Sequence, residues 1–269
     1  MNFPPSAVQG GQPREVHEVH EVHEVHEVHE VHEVHEVRAE ASTPQRLVTI
    51  LAFIAGYVDA FGFVALFGLF AAHVTANFVL IGANVVGEGQ GMLIKLLAFP
   101  AFIAGVAVAR GGVGMAQRRG VSAERGLYVL QALCLCLMMA AGLVVWPHYG
   151  PESAWAIVAA LFGAAAMGVQ NAHSRLVLPG QPPTTMMTLN VTLGVLYTID
   201  ALTGHTSDAK RAARERLADI LLPVAGFAMG AIVASIAFVQ ASFWALLFPV
   251  ILLAILALRA GTGSCAVAE

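Results

Sequence analysis

Long apolar stretches separated by short polar segments fill the chain from Leu47 onward. A helix needs about 20 apolar residues to cross the roughly 30 Å hydrocarbon core of a bilayer. Six stretches approach or exceed that length: Leu47–Leu69, Met92–Met115, Gly126–Trp146, Ala154–Leu176, Ile220–Val239 and Ala241–Leu258. The pattern predicts an all-α membrane protein with about six transmembrane helices.

Two further apolar segments fit this pattern less well. Val74–Val86 is thirteen residues long and too short to cross the membrane unaided, whereas Thr184–Leu202 is long enough but rich in Thr and Asn. We expect both to be short re-entrant or broken-helix segments that enter and leave the membrane on one side. Non-helical backbone at that depth requires surrounding protein or a wet cavity.

The first 46 residues are polar, and they are predicted to form a disordered cytoplasmic tail. Within them, Glu15–His35 consists of seven copies of Glu-Val-His, a period that matches neither a helix nor a strand. Histidine-rich tracts bind metal ions loosely and respond to pH. No rigid geometry holds these ligands, so no metal site is assigned. The transmembrane domain is expected over residues 47–260, with a short cytoplasmic tail at residues 261–269.

Composition agrees with a membrane protein, because 57% of the residues are hydrophobic and 12% are charged. Soluble domains have about 25% charged residues. The tail is acidic, whereas the remainder of the chain is slightly basic, as cytoplasmic loops usually make it. No basic stripe carries interleaved aromatic residues, so no nucleic-acid partner is expected.

The basic residues predict which loops are cytoplasmic. Arginines and lysines cluster in residues 116–125 and 203–218, whereas Pro147–Ser153 has none. Basic loops stay on the cytoplasmic side. Arg46 and Arg259 then place both termini inside. With these orientations, the segments at 74–86 and 184–202 cannot cross.

An internal repeat supports the same arrangement. The segments at 56–60 and 74–79 resemble those at 168–172 and 187–192, at offsets of 112 and 113 residues. The two halves are residues 47–146 and 154–258. Each half is therefore predicted to contain one span, a short segment that begins with polar residues, and two further spans. Three spans is an odd number, so the halves are predicted to be inverted relative to each other, an architecture common among secondary transporters.

Two longer stretches that contain these repeated segments resemble a known family. They read FIAGYVDAFGFVALFGLFAAHVTANFVLIG and GAAAMGVQNAHSRL…TTMMTLNVTLG. They are similar to the YoaK family of small bacterial membrane proteins, over roughly Leu47 to Leu258. Where that family often has Gly between the Thr and the Asn, this chain has Ala76 and Leu189. The resemblance implies a membrane protein of this size and supplies no activity.

Asp59 is the sharpest candidate for a functional residue. It lies near the middle of the first predicted span, where an ionisable group is costly and suggests function. A carboxyl group there suits proton coupling, and the alternative is a hydrogen-bonded tie between helices. The matching residue of the second half is Asn171, with Gln170 beside it as a further hydrogen-bonding group.

Polar residues also mark the two broken segments. Thr and Asn are good helix N-caps, and a half-helix that begins inside the membrane presents free N–H groups. Thr75 and Asn77 in the first half, and Thr188 and Asn190 in the second, are thus candidate ligands of a small polar or anionic solute. The alternative is that they only satisfy broken backbone. His73 is a candidate gate or proton relay.

These features favour a secondary transporter of small solutes in the bacterial inner membrane. Coupling of this transport to protons is one form of the hypothesis. The alternative is a non-transporting scaffold, regulatory or lipid-interacting protein. No soluble-enzyme motif occurs, so neither catalysis nor a cofactor or metal is expected. The expected partners are the lipid bilayer and an unidentified small polar solute. The GxxxG pattern from Gly226 to Gly230 permits close contact between helices, so a homodimer is a further hypothesis.

Overall fold

The computed structural model describes residues 45–145, 150–185, 187–204 and 206–260, and all regular secondary structure in these ranges is helical. The predicted tail at residues 1–46 lies outside them apart from its last two residues, as does the predicted tail at residues 261–269. Both assignments stay predictions.

The helices follow the two-part order expected from the sequence. In the first part, the elements are α1 (Gln45–Ala65), a 3-10 turn (Val74–Ala76) that leads into α2 (Asn77–Val85), α3 (Met92–Arg118) and α4 (Glu124–Val145). In the second part, they are α5 (Ala154–Leu176), α6 (Met187–Thr203), α7 (Ser207–Ala241), a second 3-10 turn (Ser242–Leu246) and α8 (Leu247–Ala260).

Five helical stretches of the described residues are long and apolar enough to cross a membrane. Four of them are α1, α3, α4 and α5, and the fifth covers Ser207–Ala260. This fifth stretch is interrupted at Ser242, which has a φ of 52° in the left-handed region. It therefore contains α7 and α8, where the sequence predicted two separate spans.

Contacts with α1 show how α7 runs. Near the beginning of α1, Thr49 packs against Gly226, and near its end the ring of Phe61 lies 5.3 Å from that of Phe238. The pairing advances in the same direction along both helices. The helix α7 is therefore parallel to α1.

The chain reverses after Ser242. The ring of Phe243 lies 5.5 Å from Phe61, whereas the ring of Phe248 lies 5.8 Å from Phe53, closer to the start of α1. The pairing now runs backwards along α1. The helix α8 is therefore antiparallel to α1 and α7, as expected for two successive spans.

The first span ends four residues earlier than predicted, at Ala65 instead of Leu69. Phe67 and Gly68 have φ values of 55° and 80°, which break the helix. The buried ammonium of Lys95, in the first turn of α3, donates hydrogen bonds to the carbonyl oxygens of Phe67 and Gln90. These bonds tie the segment that follows α1 to the beginning of α3.

Close backbone contacts join α1 to α7 around two glycines. A Cβ atom on Gly56 would lie 2.1 Å from the carbonyl oxygen of Phe227, and one on Gly230 would lie 2.1 Å from that of Phe53. Gly226 faces the same helix, because its Cβ would meet the carbonyl oxygen of Thr49 at 2.8 Å. The GxxxG pattern is thus used within the chain, and a homodimer stays a prediction.

The helices α3 and α5 meet in the same way. A Cβ atom on Gly168 would lie 2.3 Å from the carbonyl oxygen of Phe102, and one on Gly105 would lie 2.3 Å from that of Ala165. The two helix pairs share one pattern of contact. One glycine of each pair lies on each helix, and each glycine contacts the residue that precedes the opposite glycine by three positions. Gly168 lies 112 residues after Gly56, which is the offset of the sequence repeat.

Candidate functional site

Asp59 holds the chain that follows α1 against that helix. Its side chain is 6% exposed. Its Oδ1 accepts hydrogen bonds from the backbone N–H groups of Ala72 at 2.7 Å and His73 at 3.3 Å. Its Oδ2 lies 2.7 Å from Nδ1 of the His73 ring. The carboxylate therefore satisfies two backbone donors and orients one imidazole, and such charge-assisted bonds are strong.

His73 faces open space on the side away from Asp59. Its side chain is 31% exposed, and its ring meets that of Phe227 edge-on at 5.4 Å. The residue precedes the 3-10 turn at Val74, whose third residue, Ala76, donates its N–H to the His73 carbonyl oxygen. His73 therefore stands where the broken segment turns into α2.

The second half repeats this geometry with neutral groups. The hydroxyl of Thr185 donates a 2.7 Å hydrogen bond to Oδ1 of Asn171, and the two residues are fourteen positions apart, as His73 and Asp59 are. The Nδ2 of Asn171 donates to the carbonyl oxygen of Met167 at 3.0 Å. The repeat therefore extends to side-chain contacts, but only the first half carries ionisable groups at this point.

The side chains of Asn77 and Asn190 bond to backbone groups seven residues earlier and so hold the broken segments in place. Neither side chain caps a helix. Both are fully buried. Asn77 accepts a hydrogen bond from the N–H of Phe70 at 3.0 Å and donates to its carbonyl oxygen at 2.8 Å. The capping role expected for Asn77 is wrong, because α2 begins at Asn77 itself and its N-cap residue, Ala76, makes no side-chain cap.

Asn190 makes only part of this arrangement. Its Nδ2 donates to the carbonyl oxygen of Pro183 at 2.9 Å, seven residues earlier, which is the separation between Phe70 and Asn77. Among the described residues its Oδ1 has no hydrogen-bond partner, and proline has no N–H to donate to it. The second lock therefore leaves one buried acceptor unsatisfied.

Gln170 is a polar tie between helices. It is fully buried, its Nε2 donates to the carbonyl oxygen of Leu51 at 2.6 Å and to the hydroxyl of Thr184 at 3.2 Å, and its Oε1 accepts from Gln131 at 2.6 Å. Both polar atoms of its amide bond to groups on other segments of the chain. We therefore assign it to the packing of α5 against α1 and α4.

A cavity of about 380 Å³ lies where the two broken segments meet. Its polar lining comes from both halves of the chain: His73, Thr75, Asn171, Thr185 and Thr188. Phe102 of α3 and Met187 of α6 contribute apolar walls. Pockets of this volume, mostly apolar with a few convergent polar groups, are typical of sites for small molecules.

Four of the eight residues expected at a site line this cavity, namely His73, Thr75, Asn171 and Thr188. Asp59 supports the cavity indirectly, through His73. Asn77, Asn190 and Gln170 are buried away from its lining and hold the surrounding backbone.

Two helix starts also border the cavity. The 3-10 turn that leads into α2 begins at Val74, and α6 begins at Met187, and both residues belong to the lining. The first N–H groups of a helix have no partner within it. The lining also carries the hydroxyl groups of Thr75 and Thr188, which can donate to a solute that accepts hydrogen bonds. In the part of the chain that the structure describes, no three His, Cys, Asp or Glu side chains are placed to hold a metal ion.

Sequence reasoning missed some buried polar residues of the helix bundle. Lys95 and Gln131 are 3% and 2% exposed. His173 is 2% exposed, its ring lies 4.9 Å from that of Tyr128, and neither ring nitrogen has a hydrogen-bond partner in the described part of the chain. The available signal was a polar residue inside an apolar span, which does not distinguish buried from lipid-facing positions.

The repeated hydrogen bonds lie within a region that matches a known family model, which covers residues 47–259. The chain belongs to a family described as a protein of unknown function, DUF1275. Membership of an uncharacterised family over this region is thereby shown, and the likeness to the YoaK proteins in particular stays a prediction. No curated protein and no solved structure matches the chain.

Proposed function

We propose that the protein is a small-solute secondary transporter of the bacterial inner membrane, with both termini in the cytoplasm. Its solute would bind in the cavity between the broken segments, and two inverted halves would expose that cavity to each side in turn. The observation that carries this proposal is the composition of the cavity, because its polar lining comes from the broken segment of each half.

The contact between α1 and α5 supports inverted halves. Leu51 lies six residues after the start of α1, and Gln170, which donates to its carbonyl oxygen, lies six residues before the end of α5. The beginning of one helix thus lies beside the end of the other. These are the first helices of the two halves, so their opposed directions are those that an inverted repeat requires.

The glycine contacts support movement of one helix pair against the other. The contacts join α1 to α7 and α3 to α5, so each pair takes one helix from each half. Glycines at these contacts let the two helices of each pair pack closely. We propose that the pair α1–α7 rocks against the pair α3–α5, on which the cavity wall at Phe102 lies.

Cysteine labelling tests this proposal without knowledge of the solute. In a chain lacking Cys134, Cys136 and Cys265, Thr188→Cys places a thiol in the cavity wall. A membrane-impermeant maleimide is added to right-side-out and to inverted vesicles. We expect labelling from both sides, because a carrier spends time open to each side.

Control cysteines at Glu88 and Ser207 should each react from one side only, which verifies the orientation of the vesicles. A scaffold has one stable arrangement, so Thr188→Cys would then react from one side at most. That outcome would reject the transporter in favour of the non-transporting alternative.

A further inference from the structure

The Asp59 carboxylate is occupied by protein donors. One carboxylate oxygen accepts hydrogen bonds from the backbone N–H groups of Ala72 and His73, and the other is hydrogen-bonded to the ring Nδ1 of His73. It does not line the cavity shared by the halves. It borders a separate, mostly apolar cavity of about 260 Å³ beside α7, in which Ser235 is the other polar side chain. A solute in the shared cavity therefore meets the His73 ring and not the carboxylate.

The His73 ring has one nitrogen bound and one available. Nδ1 is held by Asp59 at 2.7 Å, and the ring, whose side chain is 31% exposed, reaches the shared cavity with its other edge, which carries Nε2. A carboxylate on Nδ1 fixes the tautomer in which Nδ1 carries the hydrogen, so Nε2 presents a lone pair. The ring lines the cavity, so this nitrogen is the one that exchanges protons with its contents.

The other elements around His73 contribute neutral groups. Phe227 approaches from α7, Phe102 from α3 and Thr188 from α6, with Asn171 at the end of α5. Among the described residues that line the cavity or contact His73, Asp59 is the one other titratable group. The second half offers only the neutral pair Asn171 and Thr185 at the equivalent place.

We infer that His73 binds and releases the coupling proton at Nε2, and that Asp59 is a positioning residue that holds the ring. This inference rests on the proposed transport function. A proton taken from water on one side adds to the Nε2 lone pair and forms imidazolium, and it returns to water on the other side when that N–H bond breaks. The pair then changes its net charge from −1 to zero, which lowers the cost of its charge inside the membrane.

The test measures how pH shifts the balance between inward-open and outward-open forms. Thr188→Cys in the cysteine-free chain is labelled in right-side-out and inverted vesicles, with equal pH on both sides, from pH 5 to pH 8. The ratio of the two labelling rates cancels the pH dependence of the thiol itself. We expect this ratio to pass through one step, since histidine titrates in that range.

Two substitutions assign the step to a residue. His73→Asn keeps an N–H group for Asp59 at the place of Nδ1 but has nothing to titrate, so two-sided labelling should persist with a ratio independent of pH. Asp59→Asn should retain the step and move its midpoint to lower pH, because a neutral partner no longer stabilises imidazolium. His73→Gln provides a second non-titrating variant if His73→Asn is not monodisperse.

The opposite pattern would overturn the assignment. A step that survives both His73 variants, or one that Asp59→Asn abolishes, would make Asp59 the proton carrier. Two-sided labelling with a flat ratio in the parent chain would reject proton coupling and leave the transporter intact. One-sided labelling of the parent chain would reject the transporter and this inference together.

Discussion

Thr185 donates a 2.7 Å hydrogen bond to the side chain of Asn171, across fourteen positions of the chain. The same separation joins His73 to Asp59 in the first half, with a carboxylate and an imidazole in place of an amide and a hydroxyl. Both halves therefore fold the chain back onto their first helix with one side-chain bond. Only the first half adds backbone donors and charge, and the two halves should differ in sensitivity to substitution.

Asp59→Ala should destabilise the protein more than Asn171→Ala. The first change leaves the N–H groups of Ala72 and His73 without their acceptor, at about 1–3 kcal/mol for each buried group. The second removes the bond from the Thr185 hydroxyl and the bond to the Met167 carbonyl oxygen, each worth about 1 kcal/mol, and leaves no backbone N–H without its acceptor. Unfolding of the purified variants in detergent by increasing SDS measures both free energies. Equal losses would mean that the Asp59 carboxylate does not hold this backbone.

Asn77→Ala should cost more than Asn190→Ala. Removal of Asn77 leaves both the N–H and the carbonyl oxygen of Phe70 unpaired, whereas removal of Asn190 leaves only the Pro183 oxygen. The difference should be about 1–3 kcal/mol, the cost of one more buried unpaired group. The midpoint of thermal unfolding in detergent provides the measurement. A larger loss for Asn190 would show that its unpaired Oδ1 has a partner in the membrane, such as an ordered water.

Gly56→Ala and Gly168→Ala should both be severely destabilising, because each new methyl group would lie 2.1–2.3 Å from a backbone oxygen on the facing helix. Gly111→Ala is the matched control, since it lies within α3 and no atom approaches its Cβ position within 4 Å. An alanine there should be neutral or stabilise the helix by up to about 1 kcal/mol. The yield of monodisperse protein after detergent extraction reports all three, and a well-behaved Gly56→Ala protein would argue against the close contact of α1 with α7.

Single cysteines at Glu88 and Ser207 test the inverted halves. The first lies between α2 and α3, and the second begins α7. If both broken segments return to the side from which they enter, an impermeant maleimide added to intact cells should label Glu88→Cys and leave Ser207→Cys unlabelled. Labelling of Ser207→Cys from outside would mean that α6 crosses the membrane, and the halves would then not be inverted.

The helices were largely predictable because membrane spans follow from local composition. The bounds predicted for Ala154–Leu176 are those of α5, and the predicted start of α3 at Met92 is also correct. The first span ends early, because Phe67 and Gly68 adopt left-handed backbone held by the distant Lys95. The segment from 207 to 219 extends α7 by charged turns, which hydropathy alone did not include.

The position of the cavity was predictable from the sequence, whereas the residues that line it were predictable only in part. Repeated motifs located the broken segments, and His73, Thr75, Asn171 and Thr188 line the cavity between them. Sequence could not separate these lining residues from the buried locks Asn77 and Asn190, because all are polar residues in similar apolar surroundings. It also favoured Asp59 as the group facing the solute, whereas the carboxylate is occupied by backbone and by His73.

The sequence by itself determined the apolar helices, the family and the repeat that relates the two halves, since these depend on residue order and composition. Tertiary structure decided which polar groups share a cavity, because segments more than 100 residues apart must meet before that can be known. It also decided which side chains are already satisfied. A hydrogen bond such as that from His73 to Asp59 depends on where the chain folds back, and that is set by packing against other helices.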